Sequence, residues 1–157
     1  MAKHELLIIH CSDTPSGRHV SSKEIRRWHL KERGWSVVGY ADMIHLDGEL
    51  ENLVEYDEDP WIEAGEITNG AIGYNDKARH VCVVGGQNLS KHSDFEKILT
   101  PGQFTTLDQY VKDYLYHHPD CKVAGHYQVN EQKDCPGFDV PKFLRFIGIS
   151  EENIYKR

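Results

Sequence analysis

Ten histidines and four cysteines occur in this chain of 157 residues, and three of those side chains stand where a metal ion could be held. His10 follows the apolar block Leu6-Leu7-Ile8-Ile9 and precedes the loop-forming run Ser12-Asp13-Thr14-Pro15-Ser16-Gly17. His126 follows Lys122-Val123-Ala124-Gly125 in the same manner. Both therefore belong to the ends of predicted strands, where a rigid sheet positions side chains and the following loops leave room for a ligand. Cys135 comes a short polar loop later and precedes Pro136-Gly137, which would hold it in a turn. Two imidazoles and a thiolate make a three-ligand zinc site with the fourth position open, the pattern of a catalytic rather than a structural zinc. Spacing alone does not bring the three together. Taken singly, a strand-end histidine is more often just hydrogen-bonded, and a cysteine more often inert.

Two further side chains would give such a site its chemistry. Lys133, two positions before Cys135, can reach the same cavity, where an ammonium would stabilise the oxyanion formed when water attacks a carbonyl. Tyr40, after Gly39, opens a predicted strand, and a phenol there can hydrogen-bond the attacking water or the developing tetrahedral centre. A solvated lysine and a packed tyrosine are the commoner readings of each. Cys11 is adjacent to His10, so strand alternation turns it to the opposite face and into the core. Cys82 lies within an apolar strand and also reads as core. The run His117-His118-Pro119-Asp120-Cys121 is the rival ligand cluster. It straddles a helix end and a proline turn, which favours helix termination with histidines drawn to the negative end of the dipole.

The elements that must position these residues alternate along the chain. A buried strand is expected from Glu5 to Cys11. Ser21 and Glu24 have capping-box spacing, so a helix should begin near Ser22 and stop at Gly34. A strand from Val37 to Leu46 leads through the Asp47-Gly48 turn into Glu49-Leu50-Glu51. The stretch from Glu55 to Lys77 shows no period. Another buried strand covers His80 to Val84. Thr100-Pro101 starts a helix that ends near His117, with Phe104, Leu107, Val111, Tyr114 and Leu115 on one face. Lys122 to Gly125 forms a short strand, and Asp139 and Pro141 start a last helix ending at Gly148. The fold class is therefore α/β, one domain over residues 1–157 with a central mixed β-sheet flanked by helices.

The net charge of -7 argues against nucleic-acid binding, which needs a basic face to neutralise phosphates, and against adsorption to an anionic membrane. Much of that acidity falls between Glu49 and Glu66, expected as an exposed connection. The cysteines show no C-x-x-C pair and no disulfide spacing, so free thiols are expected. No apolar run approaches the roughly 20 residues of a membrane span, and the N-terminal block is too short for a signal peptide. Synthesis in the cytoplasm is expected, without membrane insertion.

These residues resemble a known family. Ile9-His10-Cys11-Ser12-Asp13-Thr14-Pro15, Ile25-Arg26-Arg27-Trp28-His29, Gly34-Trp35, Gly39-Tyr40, Val83-Val84-Gly85-Gly86, Gly125-His126 and Lys133-Asp134-Cys135-Pro136-Gly137-Phe138-Asp139 are similar, in order and over nearly the whole chain, to the motifs of the type 2 N-acetylmuramoyl-L-alanine amidases. The likeness is greatest to the small phage endolysins of that family, the T-odd coliphage type included. The resemblance implies one Zn2+ ion on His10, His126 and Cys135, with Tyr40 and Lys133 as the catalytic pair. It implies hydrolysis of the amide between N-acetylmuramic acid and L-alanine in peptidoglycan, by a monomer that reaches the wall with outside help such as a holin. The alternatives within that resemblance are a non-catalytic peptidoglycan-recognition module and a cytosolic muropeptide-recycling amidase. Cys135 favours an enzyme, because non-catalytic relatives commonly lack that ligand. Two positions depart from the pattern. Ala41 stands where many relatives have histidine, and Asn69-Gly70-Ala71-Ile72 carries no histidine ahead of Gly73-Tyr74-Asn75.

Overall fold

The computed structural model describes residues 2–157. Its strands are β1 (Ala2–Lys3), β2 (Leu6–Cys11), β3 (Asp42–Ile44), β4 (Leu50–Asn52), β5 (Trp61–Ile62), β6 (Ala78–Val83) and β7 (Lys122–Gly125). The central sheet runs β4-β3-β6-β2-β7. Pairings of β2 with β6, β2 with β7 and β3 with β6 are parallel, and β4 is antiparallel to β3. The expected mixed sheet is thus observed. Its two central strands are buried along their whole length, as strands covered on both faces must be.

Helices cover both faces. The helix α2 (Pro101–His117) and the shorter α4 (Val140–Phe146) lie on the face that carries Leu7, Ile9, Cys11, Val81 and Val83, and pack Leu107, Val111, Tyr114, Phe143 and Leu144 against it. Cys11 joins this core and Cys82 the opposite one, as alternation requires. On the other face α1 (Ser22–Arg26) brings Ile25 against Met43, Cys82 and Val84. Its capping box is formed as the sequence predicts, with Ser21 Oγ accepting from Glu24 N–H and Glu24 accepting from Ser21 N–H. The helix continues as a π-helical stretch, Arg27–Glu32. Thr100 caps α2 with Pro101 in its first turn. The short α3 (His126–Val129) follows β7 directly.

Three expectations are corrected. The strand predicted from Val37 to Leu46 is only Asp42–Ile44, because the preceding backbone is bonded elsewhere: Asn69 N–H donates to Val38 O and Gly39 N–H to His29 Nδ1. Tyr40 therefore precedes the strand rather than opening it. The aperiodic stretch contains β5, which pairs antiparallel with β1; two-residue strands are too short to show a period. Within the acidic connection Glu66 is buried, accepting from the N–H groups of Asp57 and Glu63, so its charge closes a turn instead of facing water.

The His117-His118 pair does end α2, and His118 is then buried and stacked on His4 with ring centroids 4.0 Å apart. Burial lowers both imidazoles from 6.5 to about 4, helped by the charges of His118 and Arg79 on His4, and of Arg79 and His117 on His118. The unfolded chain therefore binds protons that the folded chain refuses. Stability is fully present above pH 6.5 and falls as pH drops toward about 4. Urea midpoints measured across that interval should fall steadily on acidification; a constant midpoint would contradict the buried neutral pair.

Candidate metal centre and catalytic cleft

The register of β2 against β7 sets Ile9 opposite Gly125, so the residues that follow, His10 on β2 and His126 at the start of α3, emerge at the same edge. Their ring centroids are 4.6 Å apart. His10 is only 2% exposed. The chain after β2 is pinned by Ser12 N–H to Val83 O and by Gly85 N–H to Ser12 Oγ, at 3.0 and 2.9 Å. Gly86 is needed here: it has a φ of +89°, and a Cβ on it would lie 2.5 Å from Cys11 Sγ.

Cys135 is brought in by its own loop. Tyr127 N–H donates to Cys135 O at 3.0 Å, Gly137 N–H to Asp134 O at 2.7 Å, and Lys91 N–H to the Asp134 carboxylate at 3.1 Å. Cys135 Sγ then lies 3.8 Å from His10 Nδ1. One donor atom from each of His10, His126 and Cys135 falls within 4.8 Å of the others. Zinc bonds of about 2.0–2.3 Å in a tetrahedron place ligand atoms roughly 3.3–3.8 Å apart, so a small inward closure suffices. The donor set and spacing fit a zinc ion.

Burial acts on these groups in a consistent direction. It drives His10 well below its ordinary value, aided by the charges of His80, His126, His29 and Lys133, and lowers His126 to about 4, aided by Lys133. Both imidazoles are thus neutral, the form that ligates. Burial also pushes the Cys135 thiol up, and a divalent cation at the same point would reverse that. The backbone N–H of Cys11 donates to Cys135 Sγ at 3.1 Å, which favours the thiolate.

His10, His126 and Cys135 open onto a cleft of about 680 Å3 lined also by Tyr40, Lys133, Trp28 and Trp35. A hollow of about 850 Å3 around Arg79, Tyr110 and Asp113 shares no lining residue with it. The Tyr40 ring lies 5.2 Å from that of His10, and its hydroxyl donates to Cys11 O at 3.5 Å. Burial, then the nearby thiols Cys82, Cys135 and Cys11, raise its phenol well above the usual value. Tyr40 therefore keeps its proton and acts as a donor. Lys133 is exposed at the cleft mouth, in a turn closed by its N–H on Asn130 O at 3.0 Å.

The five sequence-predicted residues thus meet in one cleft. The rival run does not compete as a unit: Cys121 Sγ is turned onto His4 O at 3.1 Å, although His117 approaches Glu58 and Asp113 on the surface. Sequence reasoning missed the roles of His29, His80 and Asn75. His29 is buried, accepts from Gly39 N–H at 3.0 Å and sets its ring edge against Tyr40 with centroids 5.2 Å apart. Burial, then Arg33, lowers it to about 4. His80 is fully buried and bonded to His10. A histidine directly ahead of the apolar run Val81-Cys82-Val83-Val84 was the available sign of it, since a buried polar ring needs partners. Ala41, the first departure from the family pattern, is fully buried and does not line the cleft. The second, Asn69 to Ile72, does line it, with Ile72 98% exposed.

The family model described as N-acetylmuramoyl-L-alanine amidase matches residues 1–138. The endolysin of Enterobacteria phage T3 is 32% identical over 146 residues, covering 90% of this chain and 86% of that protein. The endolysin of Escherichia phage T7 is 32% identical over 143 residues, covering 88% and 84%. In fold, the N-acetylmuramoyl-L-alanine amidase LysC from Clostridium intestinale URNW superposes with a TM-score of 0.70 at 20% identity, covering 94% of this chain and 87% of that one.

His29→Leu should leave the Gly39 amide buried without an acceptor and cost about 1–3 kcal/mol of stability. Urea unfolding measures it; a change below about 0.5 kcal/mol, the scale of a neutral surface substitution, would show that the bond does not hold the approach to Tyr40.

Proposed function

The chain belongs to the N-acetylmuramoyl-L-alanine amidase family, and from that premise we propose that His10, His126 and Cys135 hold one zinc ion beside Tyr40 and Lys133 as the catalytic pair. The enzyme hydrolyses the amide between N-acetylmuramic acid and L-alanine in peptidoglycan. Its role is that of an endolysin, opening the host wall at lysis. The convergence of two neutral imidazoles and one cysteine at the end of the parallel strands carries this reading.

Held by His10, His126 and Cys135, a zinc ion would supply a Lewis acid for the lactyl carbonyl and would lower the pKa of water toward neutrality. The protein supplies the rest. Cys135 contributes the single anionic donor, which leaves the centre net positive and electrophilic. Lys133 presents its ammonium from the cleft mouth, where the carbonyl oxygen gains charge as water attacks. Tyr40, fixed between His10 and His29, donates a hydrogen bond that orients the water or the tetrahedral centre. The leaving amine of L-alanine takes up a proton as the carbon–nitrogen bond breaks. The histidine-free loop from Asn69 to Ile72 gives the cleft an apolar rim at Ile72, which sets contacts with the stem peptide.

No helix among the described residues is long and apolar enough to cross a membrane. Delivery to the wall is proposed to rely on a separate device such as a holin. All five proposed site residues come from one chain, and the enzyme is proposed to act as a monomer.

Purified sacculi treated with the protein should release stem peptides bearing a free L-alanine amino group, without new reducing sugar ends. A strong chelator should abolish release and added zinc restore it. Lys133→Ala should lower turnover about 10²–10³-fold, the scale of a lost oxyanion donor, with zinc content unchanged. Reducing ends as the main product, or release indifferent to chelation, would overturn the assignment.

A further inference from the structure

Beneath the proposed ligand His10 runs a chain of hydrogen bonds, fully buried at His80 and half-buried at Asn75. His10 Nε2 lies 2.8 Å from His80 Nδ1, and His80 Nε2 lies 2.9 Å from Asn75 Oδ1. Asn75 Oδ1 also accepts from the backbone N–H of Ala71 at 2.8 Å. That last bond fixes the amide, because a backbone N–H only donates and so identifies the atom it faces as the oxygen. A carbonyl oxygen cannot donate, so His80 Nε2 must carry the hydrogen. A fully buried imidazole hydrogen-bonded to a neutral amide and another imidazole is itself neutral. Its Nδ1 is therefore an acceptor, and His10 Nε2 must be the donor. The lone pair of His10 is left on Nδ1, the nitrogen that faces Cys135 Sγ at 3.8 Å.

The loop is shaped around this ring. A Cβ on Gly70 would fall 2.3 Å from His80 Nδ1 and 2.4 Å from its Cγ, so only glycine lets the backbone seal the imidazole in place. The loop from Asn69 to Asn75, which lacks the histidine of many relatives, contributes two contacts instead: the bare backbone of Gly70 and the oxygen of Asn75.

We propose that His80, held by Asn75 and Gly70, is a positioning residue that locks His10 in the Nε2–H tautomer and so aims Nδ1 at the metal. This rests on the zinc reading above and deepens it. Ligating histidines commonly donate their second N–H to a carboxylate or a carbonyl. Here the acceptor is neutral, which leaves Cys135 as the sole anionic group among the donors.

Long-range ¹H–¹⁵N correlation spectra of the metal-free wild-type protein should show both His10 and His80 protonated at Nε2. Zinc affinity, read by competition with a chromophoric chelator, should fall about 10- to 100-fold in His80→Val, the usual effect of losing such a partner. His80→Gln, whose amide can accept from His10 and donate to Asn75, should recover most of it. Gly70→Ala, which displaces the ring without deleting it, should weaken binding in the same direction. His10 protonated at Nδ1 in the wild type, or a folded His80→Val protein binding zinc within about twofold of wild type, would overturn the proposal. If His80→Val does not fold, the wild-type tautomers decide. If the wild type binds no zinc, the metal reading fails, while the tautomer spectra still judge His80.

Discussion

The candidate metal centre depends on the parallel pairing of β2 with β7. That pairing is short, four residue pairs from Leu6 against Lys122 to Ile9 against Gly125, yet it alone places His10 beside His126. A slip of one residue would turn every side chain of a strand to the other face. His10 would then enter the core beneath α2, and Cys11 would take its place. Such a slip is opposed by Leu7, Ile9 and Val123, which pack beneath α2 and α4, so the same apolar packing that stabilises the sheet also sets the ligand geometry. Gly86 and Ser12 then hold the chain after β2 where Cys135 can approach.

The site concentrates neutral imidazoles around the Cys135 thiol. His10, His29, His80 and His126 are all shifted below their ordinary range chiefly by burial. Burying so many polar rings is costly unless each finds a partner. Two of the partners found here lie at the candidate site: Gly39 N–H for His29, just ahead of Tyr40, and His10 for His80. In the proposed enzyme, packing and catalysis would draw on the same hydrogen bonds.

The sequence made much of this legible. Apolar runs located β2, β6 and β7, the Thr100-Pro101 start located α2, and the capping box located α1. The ordered motifs singled out His10, His126, Cys135, Tyr40 and Lys133, and all five line one cleft in the structure. What stayed hidden lacked a local period or depended on distant partners. The two-residue pairing of β1 with β5 is invisible to any periodicity. The shortening of β3 follows from backbone groups captured by His29 and Asn69, far away in sequence. His80 read as an ordinary strand residue, because its meaning lies in a ring across the sheet and a glycine ten positions earlier.

The central claim is the identity of the three ligands, and zinc K-edge X-ray absorption on the metal-loaded protein tests it most directly. The account predicts one sulfur at about 2.3 Å, two imidazole nitrogens at about 2.0–2.1 Å and one further light atom. The sulfur shell should vanish in Cys135→Ser while it persists in Cys11→Ser. A first shell without sulfur in the wild-type protein, or one built of six oxygens, would contradict it.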